Sequence, residues 1–432
     1  MSLNLKSFIK IIKNYYNSQK SNNSNDQNYY LTTFDVSPGF VKLHELQEIK
    51  INFIYKYFFL LKNFFAASRV VDFNLINKEN IKNYDTIVLT WGRYNNFSKK
   101  GDFIDPYFNE NSKKYKNILW FIISLDNKLP LNIKNNIVIF VNQNSGLINI
   151  KNAIKLIFKK IFLSFLVKSS SQFSYIEQIS IVIWQNVKKN IEIKKLKKII
   201  MPYEGQPFQN YLNNKMVLIN KKIETIGYIH ATQAFPIHLF KRSGAPKKLL
   251  VHGKDQKYHL NKYLGWKKNE VKLIPSLKIL KKNKINYQNL IYLPYIIKDI
   301  NFYLDSFRYL LINRKNEFSS KLKVKIHPLR RNKRTHLILK KKIELLISKT
   351  KLNKKLKFCN PIVMGTSSVV LEILENNLSP YHIYDNFLLQ SYFNGLWPSI
   401  HGKTVLRNKI YQYKLKKMNN CINIVSKKQN IF

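Results

Sequence analysis

Short apolar, β-branched runs recur along the chain and stop at glycine or proline. They include YDTIVLTWG (84–92), KNILWFIISLD (116–126), NNIVIFVNQ (135–143), KKIIMPYEG (197–205), ETIGYIHAT (224–232) and KKLLVHG (247–253). EVKLIPS (270–276), NLIYLPYI (289–296), KLKVKIHP (321–328), PIVMGTSS (361–368) and SPYHIYD (379–385) continue the series. Each is too short for a helix and reads as a strand. Most are apolar at successive positions, so both faces are covered. Helical segments lie between them: QPFQNYLNNKMVLINKK with Pro207 in its first turn, KDQKYHLNKYLGW closing at Gly265, INFYLDSFRYLLINRK, RTHLILKKKIELLISK and SVVLEILEN. Doubly covered strands separated by helices predict a parallel α/β sheet.

A chain of 432 residues exceeds one ordinary core and suits two domains. The stretch KILKKNKINYQ (278–288) is highly charged and lacks apolar periodicity, which marks a linker. The expected division is an N-terminal α/β domain over 1–277, a C-terminal one over 289–405, and a tail over 406–432 that packs back on the rest. Before the first strand run, 15–30 reads as a polar loop, 31–40 as a strand and turn, and 44–68 as a helix.

The formal net charge of +50 points toward anionic partners: nucleic acid, acidic lipid headgroups or phosphorylated substrates. Only 9 of the 74 basic residues are arginine, the side chain that nucleic-acid readers use for bidentate contacts. Coding bias toward Lys, Asn and Ile accounts for part of the charge. Two cysteines, Cys359 and Cys421, make no disulfide framework, and no Cys/His cluster has zinc spacing. Both features fit a reducing cytoplasm. The N-terminus has no apolar core of a secretory signal. IKLIFKKIFLSFLV (154–167) is too short and too charged to span a bilayer and reads as an amphipathic helix, core-facing or lying on a membrane.

Two strand ends carry chemistry. VKIHPLRRNKR (324–334) puts His327 and Pro328 at the mouth of one strand; PIVMGTSSVVLEILEN (361–376) puts Gly365, Thr366, Ser367 and Ser368 at the mouth of another. In parallel sheets ligands bind beyond the carboxyl ends of strands. Gly365 permits a sharp turn, and three hydroxyl residues at a helix start exceed what capping needs, so phosphate is the expected guest. His327 is placed to donate to a departing phosphate. Glu372 shares a helix face with Ser368 and suits either ribose hydroxyls or solvent. In the first half, Glu204 follows a strand beside Gly205 and is the candidate general base. His230 lines the same sheet edge as a candidate substrate contact, while Asp102, Asp105 and His252 are further candidates. No Asp-x-Asp, Walker, G-x-G-x-x-G or G-x-S-x-G pattern occurs.

His-Pro at one strand end followed by Ser-Ser at a strand-to-helix junction resembles the signature of bacterial sialyltransferases and capsule polysialyltransferases, and of the glycerophosphotransferases that use CDP-glycerol. The stretches LTWG, FIDPYF, YEGQPFQNYL and ETIGYIHATQ are similar to surface-carbohydrate biosynthesis proteins. The resemblance implies a GT-B fold, two Rossmann-like domains facing across a cleft. It implies a nucleotide-activated sugar as co-substrate, no metal or other cofactor, and a polysaccharide or lipid-linked acceptor. By position, His327 would contact the donor phosphate and Ser367 and Ser368 would bind its oxygens. Those families carry a paired acid before the glycine of the base motif; here only Glu204 is present. An anionic membrane surface is a further expected partner, and nucleic acid is not expected. The alternatives are a nucleotide-sugar epimerase of the same architecture and a non-enzymatic nucleic-acid-binding protein.

Overall fold

The computed structural model describes residues 69–77, 81, 84–126, 128–148, 175–234, 236–277, 286–297, 299–385, 391–392, 395–424 and 431–432. The expected loop at 15–30, the strand and turn at 31–40, the helices at 44–68 and 154–167, and most of the linker lie outside the described residues.

The first half runs β1 (Arg69–Ile76), β2 (Thr86–Gly92), β3 (Ile104–Asp105), β4 (Glu110–Asn111), β5 (Ile118–Ser124), β6 (Ile137–Ile148), α1 (Tyr175–Asn190) and β7 (Lys198–Pro202). It continues through α2 (Pro207–Ile219), β8 (Glu224–Tyr228), β9 (Lys248–Val251), α3 (Lys254–Tyr263) and β10 (Val271–Leu273). Eight strands form one sheet in the order β1-β6-β5-β2-β7-β8-β9-β10. Neighbours are parallel except for β1, which pairs with β6 antiparallel. β3 and β4 form a separate two-stranded ribbon.

The apolar runs explain this sheet residue by residue. Side chains on a strand alternate between faces. Leu119 and Phe121 of β5 enter one core with Ile199 and Met201 of β7 and with Leu212 and Met216 of α2. Trp120 and Ile122, their neighbours in sequence, enter the opposite core with Ile200, Phe103 and Phe108. Each such side chain contributes about 1.5–3 kcal/mol when withdrawn from water.

The second half runs β11 (Leu290–Tyr292), α4 (Ile300–Asn313), β12 (Lys323–Lys325), α5 (Arg334–Lys349), β13 (Ile362–Met364), α6 (Val369–Glu375), β14 (Tyr381–Ile383), β15 (Ile400–Leu406) and β16 (Ile410–Leu415). Its six-stranded sheet has the order β12-β11-β13-β14-β16-β15, parallel through β14 and antiparallel beyond. α4 and α5 cover it with Phe307, Leu310, Leu339 and Ile343.

In both sheets the strand order reverses once. From β2 the chain builds outward through β5 and β6, then restarts on the other side with β7; from β11 it adds β12, then restarts with β13. Such reversals open a crevice at the carboxyl ends of the two strands concerned. Glu204 follows β7, and Gly365 follows β13.

The second sheet extends past the boundary expected at 405. That boundary would split the β15–β16 hairpin, whose strands pair from Ile400↔Leu415 to Leu406↔Ile410. No long apolar run announces this hairpin, because each of its strands mixes buried residues with exposed or half-buried ones. The chain then crosses back to the first half. Glu375 accepts the N–H groups of Asn419, Cys421 and Ile422 at 2.6, 2.9 and 3.1 Å. Asn423 donates to His252 O, and Ser276 donates to Asn423 O. Among the described residues no helix is long and apolar enough to cross a membrane.

The return crossing depends on Gly253, where an added Cβ would lie 1.9 Å from Cys421 O. Gly253→Ala is expected to lower stability by about 1–3 kcal/mol, read as a reduced midpoint in urea unfolding. An unchanged midpoint would show that 419–424 does not pack there.

Candidate functional site

The first crevice is built on the turn after β7. Gly205 has φ +64°, and a Cβ there would meet His238 O at 2.1 Å, so the turn admits only glycine. Buried amides from the first turn of α2 hold it. Gln209 donates to Pro202 O at 2.6 Å and accepts from the N–H groups of Glu204 and Gln206, both at 3.1 Å. Asn210 accepts the Tyr203 hydroxyl at 2.7 Å and donates to the carbonyls of Gly205 and Gln206. The Arg242 guanidinium also donates to Gly205 O.

This frame presents the Glu204 carboxylate at the crevice, 39 % exposed. Its Oε1 lies 3.2 Å from His230 Nε2, and its Oε2 accepts from Gln206 Nε2 at 2.5 Å. Burial acts to raise the Glu204 pKa, but the hydrogen bonds from His230 and Gln206 outweigh it and hold the group below the ordinary carboxylate range. An ionised carboxylate only accepts, so His230 Nε2 carries a proton and donates it to Glu204. Tyr107 meets His230 edge to face at 4.6 Å.

Behind this pair lies Asp105, wholly buried. Its Oδ1 accepts from the N–H groups of Tyr107 and Phe108 at 2.7 and 2.8 Å. Burial pushes its pKa up to about 6, against the pull of the Phe108 N–H, the Thr90 hydroxyl, the Tyr107 N–H and the charge on His230. Asp105 Oδ2 and Thr90 Oγ1 nonetheless make no hydrogen bond of ordinary geometry, nor do the buried His230 Nδ1, His238 Nδ1 and Gln206 Oε1. Burial also drives the His238 pKa down to about 4, so that imidazole is neutral. Buried polar atoms are normally paired, and this gathering of unpaired ones singles out the crevice as the candidate site.

The second crevice holds the Gly-Thr-Ser-Ser loop. Gly365 has φ +70°, and a Cβ would stand 2.6 Å from Pro294 Cβ. Its N–H donates to Ile383 O at 2.7 Å, and its carbonyl accepts from His382 Nε2 at 2.8 Å. Thr366, Ser367 and Ser368 are half-buried. Ser367 Oγ accepts from Val369 N–H at 3.3 Å, while Ser368 makes no side-chain cap.

Register places His327 beside this loop. Tyr292 of β11 pairs with Lys325 on one side and Val363 on the other. His327 and Gly365 each lie two residues past those partners, so both loops leave the sheet at one level. One strand separates them, which is about 10 Å between backbones. His327 is exposed and packs edge to face on Tyr295 at 4.9 Å, and Arg330 lies 4.2 Å from the same ring. Glu372 accepts the Tyr287 hydroxyl at 2.9 Å, which ties α6 to the start of the second half.

The crevices meet at one side chain. The Tyr392 hydroxyl lies 3.2 Å from Thr232 O, two residues past His230, and 3.1 Å from Ser367 O. Beside it Trp397 Nε1 donates to Ala234 O at 3.1 Å. The structure therefore brings Glu204, His230 and Asp105 together and sets the Ser367 loop against the same seam. Asp102 is engaged in a local turn with Ser98, and His252 lies under the returning chain. The sequence does not single out Tyr107, His238, Gln206 or Gln209. The pattern Glu-Gly-Gln-Pro-Phe-Gln carries the capping amides, but nothing local marks His238.

No protein-family model matches the chain, and no curated protein matches it. Among solved structures it is similar to a glycosyltransferase from Rickettsia africae ESF-5, with 10 % identity over 71 % of this chain and 86 % of the other and a TM-score of 0.32. It is also similar to the S. aureus MnaA–UDP co-structure, with 9 % identity over 72 % and 86 % of the two chains and a TM-score of 0.35.

Burial of Asp105 ties the stability of the fold to pH. Its carboxyl is easier to bury protonated, so it favours the fold below about pH 4, and that contribution disappears as pH rises through about 6. Asp105→Asn keeps the Oδ1 acceptor and removes the charge. The variant is expected to gain stability relative to wild type between pH 4 and 7, by on the order of 2–3 kcal/mol at neutral pH, measured by urea unfolding across that range. A constant difference at all pH values would refute the assignment.

Proposed function

We propose that this chain is a GT-B-type glycosyltransferase. It moves a sugar or a polyol phosphate from a nucleotide-activated donor to a surface polysaccharide or lipid-linked acceptor. The observation that carries this reading is the seam at Tyr392, which sets the Glu204–His230 pair and the Gly365–Ser368 loop on two sides of one junction.

In this reading the acceptor sits over the first crevice. Glu204 takes the proton of the attacking hydroxyl while the new bond to the donor carbon or phosphorus forms. The bond to the nucleotide phosphate breaks, and the nucleotide leaves with the electron pair. His327, Thr366, Ser367 and Ser368 receive the developing phosphate charge, and Arg330 adds a fixed cation behind the Tyr295 ring. His230 holds the Glu204 carboxylate toward the acceptor. Glu372, engaged by Tyr287, supports the loop rather than reaching a ribose. A cytidine nucleotide is the expected donor, and the anionic inner face of the cell membrane, where lipid-linked acceptors reside, is the expected workplace.

Thermal-shift measurements with CMP, CDP, UDP and GDP test the donor side. A cytidine nucleotide at about a hundred times its Kd should stabilise the fold by about 2.7 kcal/mol. The shift should vanish in His327→Ala and in the Ser367→Ala/Ser368→Ala double variant. Glu204→Gln should keep it while transfer falls about 10²–10⁴-fold. No shift with any of the four nucleotides would sink the proposal.

A further inference from the structure

Two loops of the first sheet carry an unusual mixture of side chains. One follows β2 and one follows its neighbour β5. They expose Tyr94 at 43 %, Leu125 at 47 %, Leu129 at 38 % and Leu131 at 97 % of their surface. A leucine as open as Leu131 gains nothing from the fold. Arg93, Lys99, Lys100, Lys128 and Lys134 are exposed on the same two loops. The acids among them are occupied: Asp126 accepts the Tyr94 N–H at 3.1 Å, and Asp102 is bonded to Ser98.

The two loops are fastened to each other. Leu125 N–H donates to Gly92 O at 2.9 Å, and Lys134 N–H donates to Gly101 O at 3.4 Å. Asn132 Nδ2 reaches Lys99 O at 3.3 Å, and Asn77 Nδ2 bonds both Lys134 O and Ile137 O at 2.8 Å. Gly101 has φ +84° and lets Asn132 O approach to 2.6 Å of where a Cβ would stand. The leucines therefore sit on a held platform.

We infer that this platform docks the protein on an anionic lipid bilayer, with Leu129 and Leu131 entering the headgroup–acyl boundary and the surrounding lysines on the anionic headgroups. Both halves of the surface are then used. A bilayer of negative charge accepts aliphatic tips and cations over the same few ångströms, and tyrosine prefers that interface. A nucleic-acid backbone would meet the cations and leave the leucines in water. The platform begins at the carboxyl ends of β2 and β5, and β2 pairs with β7, which leads to Glu204. The inference rests on the membrane part of the proposed function and not on the donor site.

Co-sedimentation of the full chain with vesicles tests it. Phosphatidylglycerol-containing vesicles should retain wild type at about 150 mM salt, a concentration near physiological screening, whereas pure phosphatidylcholine vesicles should not. Leu129→Ser/Leu131→Ser keeps every charge and should weaken partition at least about tenfold, the insertion of two aliphatic side chains being lost. Leu218→Ser/Ile312→Ser, exposed positions elsewhere, should bind as wild type. The nucleotide thermal shift should be the same in all three proteins, so a failed donor site and a failed platform are read separately. Equal binding by the Leu129/Leu131 variant and wild type would overturn the inference in favour of diffuse charge adsorption. Failure of wild type to bind anionic vesicles would overturn it in favour of another partner.

Discussion

The Tyr392 hydroxyl has one proton and two carbonyl oxygens within reach, those of Thr232 and Ser367. A phenol can donate once, so the proton is shared across the seam, in a site closed to water. The transfer reaction proposed for this protein depends on that arrangement. Each sheet supplies a crevice by its own strand order, but a transfer needs both on one substrate. The clasp is reinforced where charge is costly to bury. Asp255 accepts both the N–H and the hydroxyl of Ser399 at 3.0 and 2.9 Å, and Glu375 gathers three N–H groups of the returning chain. Burial raises both carboxyl pKa values, and these donors offset only part of that cost.

Within the first crevice, two carboxyl groups share a neighbourhood yet have their pKa values pushed in opposite directions. Glu204 is drawn down by hydrogen bonds from His230 and Gln206; Asp105 is driven up by complete burial, with only two backbone donors on one oxygen. Environments that push paired acids apart in pKa are what acid–base chemistry at neutral pH requires. Asp105 reaches the neighbourhood of His230 from a different strand, β3, much earlier in the chain.

The parallel strands were legible because their signal is local and redundant. A run such as ILWFIIS, apolar at every early position, has no low-energy fate except a strand covered on both sides. Pro207 and Gly265 punctuate their helices through backbone restrictions that act within one turn. The β15–β16 hairpin escaped because IYQYKL is placed by pairing with β14, and IHGKTVL in turn pairs with IYQYKL. Glu204, His230 and the Gly365–Ser368 loop were visible as residue types at strand ends. The Gln209 lock on the Glu204 turn, the approach of His238 and the bridging role of Tyr392 could not be read locally. Each is defined by a partner that the fold, not the neighbouring sequence, supplies, and Tyr392 follows no pattern.

By itself the sequence determined the kind of element at each position and the ends at which chemistry can sit, since both follow from side-chain period and from the φ preferences of glycine and proline. Only the tertiary structure decided strand order, and with it which loops flank a reversal. It also decided that the chain crosses back at 419–424 to close the two halves on one tyrosine. Those outcomes depend on contacts such as Tyr392 with Thr232, 160 positions apart, where loop-closure entropy is overcome only by many contacts formed together.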